Sequence, residues 1–166
     1  GYSPVTGHLG GWTPGHSPRK LPPGVGLFVP KGADLVLEVH YHCIGKAEKD
    51  KSRVGLYFAD GPIKKRLRIG DVTNGSLRLS PGKDHIEIEA SAFTPGDITL
   101  LSVTPHMHFL GKSMRVTARL PDGTDRLLVD VPRYDFRWQP SYRFKEPVKL
   151  PARTRLDVAA VFDNSD

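Results

Sequence analysis

The stretch HIEIEASAFTPGDITLLSV, residues His85 to Val103, decides the fold class. Apolar and polar residues alternate on each side of a central Pro95-Gly96-Asp97 turn signal, which is the pattern of two half-buried strands joined by a turn. The pattern recurs from Gly24 onward, with further turn signals at Pro30-Lys31-Gly32, Pro81-Gly82-Lys83 and Pro121-Asp122-Gly123. This alternation predicts an all-β chain, built as an antiparallel jelly roll or β-sandwich.

The runs between the turn signals define the candidate strands. The segment Asp71–Ser76 is the poorest in apolar residues, so we place a boundary there, although a hairpin turn would look the same. Residues 1–75 and 76–166 are then two β halves that share an interface. Residues 1–23 are expected to be an irregular wrapping segment anchored by Trp12. We predict strands near residues 24–29, 34–42, 53–59, 65–71, 76–79, 85–92, 97–109, 113–120, 125–131, 145–149 and 154–162.

Composition narrows the function classes. The net charge is +6, but the Lys and Arg residues are scattered and often lie beside acids, which favours a solvated basic surface over a nucleic-acid site. No apolar run reaches the ~20 residues that span a bilayer, so we expect no membrane span. Cys43 is the single cysteine, which excludes a disulfide within the chain.

Four of the seven histidines form two His-x-His pairs, His40/His42 and His106/His108. In a strand, residues i and i+2 leave the same face, so two imidazoles can converge on one ion. An isolated His is more often a half-buried residue bonded to backbone, but an apolar face does not normally place two imidazoles side by side. We therefore predict that His106 and His108 bind a metal ion. We also predict that at least one of His40 and His42 binds a metal.

The identity of the metal depends on the remaining ligands. A zinc cage would use Cys43, but Cys43 follows His42 directly and so points to the opposite face of the strand. Imidazole with a thioether suits copper, yet Met107 faces away from its neighbours and Met114 lies several residues on. The residues alone therefore leave the third ligand open.

The other candidate polar residues have weaker signals. Glu38 shares a strand face with His40 and could either orient that imidazole or pair with a surface Lys. The aromatic run Arg133–Gln139 is expected to pack under the sandwich rather than to stack on a ligand. Ordinary solvated or edge positions are expected for His8, His16 and His85.

Several blocks, in this order, resemble the copper type II, ascorbate-dependent monooxygenases, the family of peptidylglycine hydroxylating monooxygenase and dopamine beta-monooxygenase. The resemblance runs through most of the chain, and the order of the blocks is more specific than any one of them. The blocks are Gly11-Trp12-Thr13-Pro14-Gly15, Leu21–Gly26, Leu35–Tyr41, Pro105–Lys112 and Val161–Ser165.

In that family two jelly-roll-like domains each hold one copper ion, the first by three His and the second by two His and one Met. The resemblance implies that His40 is the last His of the first site, while His42 lies where the family needs no ligand. It implies that His106 and His108 are the catalytic pair of the second site, where dioxygen is activated and a small-molecule or peptide substrate is hydroxylated. Ascorbate would be the electron donor, and the protein would be periplasmic or secreted.

Four departures from the family pattern shape this expectation. The His-His pair of the first site would lie before Gly1, and the Met of the second would lie after Asp166. Residues 1–75 would then be the C-terminal part of the first copper domain and residues 76–166 most of the second, so we expect weak metal binding and little or no turnover by this chain alone. The replacement of Gln by Glu38 and the absence of the animal disulfides point to a bacterial-type branch.

Two other classes of protein compete with this interpretation. A non-catalytic β-sandwich could keep the family scaffold and bind a partner or carbohydrate, in which case no stoichiometric copper is expected. A structural zinc or cupin-like domain would prefer zinc to copper. The metal content of the protein separates the three.

Overall fold

The computed structural model describes residues 8–18, 20–41 and 44–165. Within these residues the chain forms strands and no helix, which confirms the all-β prediction. No helical segment of the described part has the length and apolar character needed to cross a membrane. The eight strands are β1 (Val25–Gly26), β2 (Lys65–Arg66), β3 (Lys83–Phe93), β4 (Ile98–Val103), β5 (Gly111–Arg119), β6 (Asp125–Val131), β7 (Tyr142–Leu150) and β8 (Arg155–Asn164).

The chain divides into two compact units. The first comprises residues 1–10 and 19–69, and the second comprises residues 11–18 and 70–166. The second unit therefore includes the short loop 11–18, which lies far from the rest of that unit in sequence. The assignment of residues 1–75 and 76–166 to two copper domains that share an interface stays a prediction.

The second unit contains two antiparallel sheets. One has four strands in the order β3-β8-β5-β6, and the other pairs β4 with β7. Strand β3 shows why these sequences form strands: its apolar side chains, from Ile86 to Ala92 at every second position, are half-buried while those between them are exposed. The antiparallel sandwich is thus the observed architecture of this unit, while the jelly-roll connectivity stays a prediction.

The hydrophobic core lies between the two sheets. Side chains of β5, β6 and β7 form its buried centre, and apolar residues of β4 pack against it. A second, smaller cluster is built by Met107 with Ala160 and Phe162 of β8. The buried residues of the larger cluster are Val116, Ala118, Leu128, Val129, Val148 and Leu150.

The first unit contains far less regular structure than its sequence predicts. Its described strands are the parallel pair β1 and β2, two residues each. The predicted strands at 34–42 and 53–59 are wrong for the described residues, and in the second unit so is the one at 76–79. Alternation alone does not stabilise a strand, because its backbone groups need a paired neighbour and its apolar face needs a surface to cover. Here Val36 is 70% exposed and Phe58 is 81% exposed.

Strand β4 ends earlier than the predicted strand 97–109. Its ladder with β7 stops at the pair Val103–Tyr142, and residues 104–108 continue without ladder hydrogen bonds. Pro105 has no backbone N–H to donate, so a strand is not expected to run through it in the middle of a sheet. The His106/His108 pair therefore lies on an irregular segment between β4 and β5.

The stability of the second unit should depend on the buried end of β7. Leu150 is 1% exposed within the larger core cluster, so Leu150→Ala should lower the free energy of unfolding by about 2–5 kcal/mol through lost burial and the cavity left behind. Urea denaturation followed by circular dichroism measures the change. Leu127→Ala on β6 is the control, because Leu127 is 57% exposed and its loss should have little effect. Equal effects of the two substitutions would show that the core has been placed wrongly.

Candidate metal centre

The structure brings His106 and His108 together at the surface. Both side chains are exposed, and their ring centroids lie 5.4 Å apart with the ring planes at 79°. Met107 between them is 3% exposed and packs against Ala160 and Phe162. The two imidazoles therefore lie on the exposed side of this segment while the Met107 side chain between them is buried, as the i and i+2 spacing predicts.

The distance between the rings is compatible with one shared metal ion. A transition-metal ion about 2.0–2.1 Å from a ring nitrogen lies roughly 3.2 Å from that ring's centroid, so two imidazoles meeting at about 110–120° have centroids roughly 5.2–5.5 Å apart. The observed separation of 5.4 Å falls within this range. Two exposed imidazoles at this separation are therefore compatible with shared coordination of one first-row transition-metal ion that has further positions open to other ligands.

Tyr134 holds the backbone between the two histidines. Its hydroxyl accepts a hydrogen bond from the Met107 N–H at 2.9 Å and donates one to the Met107 carbonyl at 2.7 Å. These bonds replace the ladder partners that the segment loses when it leaves β4, because buried peptide groups must be paired. One side chain thus fixes the peptide groups on both sides of the buried Met107.

The turn after His108 completes the anchoring of the segment. The Gly111 N–H donates to the His108 carbonyl at 3.0 Å, and β5 begins at Gly111. A Cβ atom at position 111 would lie 2.8 Å from Cβ of Met107 and 3.1 Å from the His108 oxygen. Glycine is therefore required where β5 starts, because any side chain would push the Met107 anchor out of place.

A buried amide contacts one of the two imidazoles. Gln139 is 3% exposed, and its Oε1 lies 2.6 Å from Nδ1 of His106. The same side chain donates from Nε2 to the Phe136 carbonyl at 2.6 Å. A hydrogen-bonded partner on the second ring nitrogen is the usual arrangement around metal-binding histidines.

The protonation state of Tyr134 preserves its two hydrogen bonds to Met107. Burial raises the pKa of the Tyr134 phenol above its ordinary value, the hydrogen bond with Met107 opposes this, and the nearby Asp135 carboxylate adds to it. The phenol therefore stays protonated near neutral pH and keeps its O–H for the Met107 carbonyl. Hydrogen bonds from the Arg137 backbone and side chain hold the pKa of Asp135 below its usual value.

In the first unit, the predicted metal ligand His40 is exposed and contacts a carboxylate. The side chain of His40 is 86% exposed, and its Nε2 lies 2.8 Å from Oε1 of Glu38. Of the two roles considered for Glu38, the structure thus shows the contact with the imidazole. His42, the second histidine of this pair, and Cys43, which was considered for a zinc site, lie outside the described residues. Within residues 8–18, 20–41 and 44–165, no group of three or more His, Cys, Asp or Glu is arranged to hold a metal ion.

The remaining histidines lie in other surroundings. His85 is exposed on β3, with its Nε2 3.0 Å from Oε1 of Glu87, as expected of an edge position. His8 is exposed as well. The solvated position predicted for His16 is wrong, because its ring is half-buried and lies 3.3 Å from both N and Oγ1 of Thr13.

Sequence reasoning missed Gln139 and the specific task of Tyr134. The run Arg133–Gln139 was predicted to pack under the sandwich, and Tyr134 does pack against the smaller cluster. Trp138, however, is 63% exposed, so the prediction is wrong for that residue. A buried hydroxyl or amide always needs a hydrogen-bond partner, but nothing in one sequence names a partner 27 or 33 positions away.

The loop 11–18 is held to this region by hydrogen bonds of Thr13 and Pro14 with Gln139 rather than by Trp12. The predicted Trp12 anchor is wrong, since that side chain is 73% exposed. Instead the Gln139 N–H donates to the Pro14 carbonyl at 2.7 Å. Gly15 has a φ of 92°, and a Cβ there would lie 3.2 Å from the Trp138 ring. Close backbone approach therefore attaches this loop.

Removal of the Tyr134 hydroxyl should loosen the histidine segment. Tyr134→Phe leaves the Met107 N–H and carbonyl without these partners, so unfolding should become easier by about 1–3 kcal/mol. Urea denaturation of the variant beside Tyr142→Phe provides the comparison, because Tyr142 is an exposed residue of β7. If both variants were equally stable, the two bonds to Met107 would not support the segment.

Comparisons with known proteins leave the family open. No protein-family model matches the chain. No curated protein and no solved structure matches it either. A functional interpretation therefore depends on the residues and contacts described above and on the resemblance of the sequence blocks.

Proposed function

We propose that this chain is part of a copper-dependent monooxygenase that uses ascorbate and dioxygen, and that His106 and His108 supply two nitrogen ligands of its oxygen-activating copper. The observation that carries the proposal is the placement of two exposed imidazoles 5.4 Å apart on one side of a fixed backbone segment. The choice of copper and of the reaction follows from the resemblance of five sequence blocks, Pro105–Lys112 among them, to the copper type II family.

The surrounding contacts support a site that exists before the metal binds. Two backbone bonds from Tyr134, the buried Met107 side chain and the turn closed by Gly111 all limit the motion of the segment. Ligands held on such a frame lose little conformational freedom when they bind an ion. This arrangement favours a binding site over two unrelated surface histidines.

The chemistry follows from the chosen metal and the residues around it. Copper, when bound, would supply the one-electron steps by which two electrons and two protons reduce dioxygen, placing one oxygen atom in a C–H bond and releasing the other as water. His106 and His108 would provide nitrogen ligands to the copper. Gln139 contacts Nδ1 of His106 and so orients that ring. Both imidazoles are exposed, so a substrate and further ligands can reach them.

Aromatic surface beside the pair suits an organic substrate. Phe109 follows His108, is 65% exposed and lies against the Phe136 ring with centroids 4.1 Å apart. Trp138, 63% exposed, precedes the Gln139 that contacts His106. Because Phe109 and Trp138 are the sequence neighbours of His108 and Gln139, we propose a substrate with an apolar portion that contacts these rings.

Copper titration with electron paramagnetic resonance tests the proposal. The protein should bind Cu(II) through nitrogen ligands, and either His106→Ala or His108→Ala should remove that component or weaken its affinity at least about tenfold. His85→Ala is the matched control, because His85 is also exposed but lies on β3, with its Nε2 against the Glu87 carboxylate.

Different outcomes separate the competing classes of protein. An unchanged nitrogen signal in both His106→Ala and His108→Ala would overturn the assignment of the ligands. Failure of the protein to bind copper at all would favour a non-catalytic β-sandwich that binds a partner. Retention of zinc in the presence of equimolar copper would favour a structural zinc domain, because copper normally binds nitrogen ligands more tightly.

A further inference from the structure

The orientation of the Gln139 amide follows from its surroundings. An amide group has one end that donates and one that accepts, and the two ends are distinguished by their partners. The Phe136 carbonyl can only accept, so the end of Gln139 that lies 2.6 Å from it must be the NH2 group. The oxygen of the amide is then the atom that faces His106.

This orientation decides which nitrogen of His106 carries the proton. The amide oxygen can only accept, and it lies 2.6 Å from Nδ1 of His106. A bond of this length requires a hydrogen on Nδ1. In the neutral imidazole the other nitrogen, Nε2, then keeps its lone pair, which is the electron pair that a metal ion needs.

Gln139 is held in place independently of the histidine. Its N–H donates to the Pro14 carbonyl at 2.7 Å, and its carbonyl accepts from Oγ1 of Thr13 at 3.2 Å. The side chain is 3% exposed, so water does not compete for these groups. The loop 11–18 thus holds the Gln139 backbone, and the Phe136 carbonyl sets the direction of the side-chain amide independently of His106.

We infer that Gln139 is a positioning residue that fixes His106 as the tautomer with hydrogen on Nδ1 and so presents Nε2 as its metal-binding atom. The tautomer itself stands on the hydrogen bonds alone, whereas the metal that Nε2 would bind rests on the proposed function. Free neutral histidine prefers the opposite tautomer, with hydrogen on Nε2, so the effect of Gln139 is measurable in the metal-free protein.

Long-range proton–nitrogen NMR of the imidazole rings tests the inference. The spectrum is recorded without metal, at a pH high enough that the ring nitrogen shifts themselves show neutral imidazoles. In the unaltered protein, His106 should show hydrogen on Nδ1. Gln139→Leu, which removes the acceptor, should return His106 to the tautomer with hydrogen on Nε2. His85, which contacts a carboxylate on β3, should be unchanged and serves as the internal reference.

Gln139→Glu keeps the test decisive if the leucine variant folds poorly. A carboxylate still accepts from Nδ1 but cannot donate to the Phe136 carbonyl, so it should preserve the tautomer even where it lowers stability. Loss of the amide–imidazole contact should also weaken Cu(II) binding by about 10- to 100-fold in Gln139→Leu, with Gln139→Glu closer to the unaltered protein.

Each outcome bears on the inference in a defined way. Hydrogen on Nε2 of His106 in the unaltered protein, or hydrogen on Nδ1 retained in a folded Gln139→Leu, would overturn it. Hydrogen on Nδ1 that depends on an acceptor at position 139 would support it. Were that dependence found in a protein that binds no copper, the proposed function would fail while the role of Gln139 in setting the tautomer would stand.

Discussion

The paired hydrogen bonds between the Tyr134 hydroxyl and the Met107 backbone are the interaction on which the candidate site depends. The chain leaves the β4–β7 ladder after Val103, so its peptide groups lose their strand partners just before the two histidines. A peptide group enclosed by the protein needs a replacement partner, and one phenol supplies both a donor and an acceptor. Because Met107 is thereby fixed with its side chain in the core, its two neighbours are directed to the surface.

A second set of hydrogen bonds in this unit is centred on the buried Gln139. Gln139 connects the loop 11–18, the Phe136 turn and the His106 ring through hydrogen bonds that all have defined donors and acceptors. Such a network is stable only when each buried member is satisfied, so a change at one member affects the others. The ring of His106 is therefore coupled to a loop that lies more than 120 positions away from Gln139 in sequence.

The two units show what alternation of apolar and polar residues can and cannot predict. In the second unit the predicted strands 85–92, 113–120, 125–131 and 154–162 correspond to β3, β5, β6 and β8, because each finds hydrogen-bonded neighbours. In the first unit the runs 34–42 and 53–59 have an equally good pattern, yet their described residues pair with no strand. Apolar patterning describes one face of a strand, whereas a ladder needs a second segment of chain in register.

The sequence by itself determined the all-β class, the approximate positions of β3, β5, β6, β7 and β8, and the direction of His106 and His108 opposite to that of Met107. Each of these depends on spacing along the chain, such as the period of two in an extended backbone. Only the tertiary structure decided which groups hold the pair in place, because Tyr134 and Gln139 reach the segment 106–108 from positions that no local pattern connects to it. Hydrogen bonds between distant segments depend on how the chain is folded, and that information is not contained in the spacing of neighbouring residues.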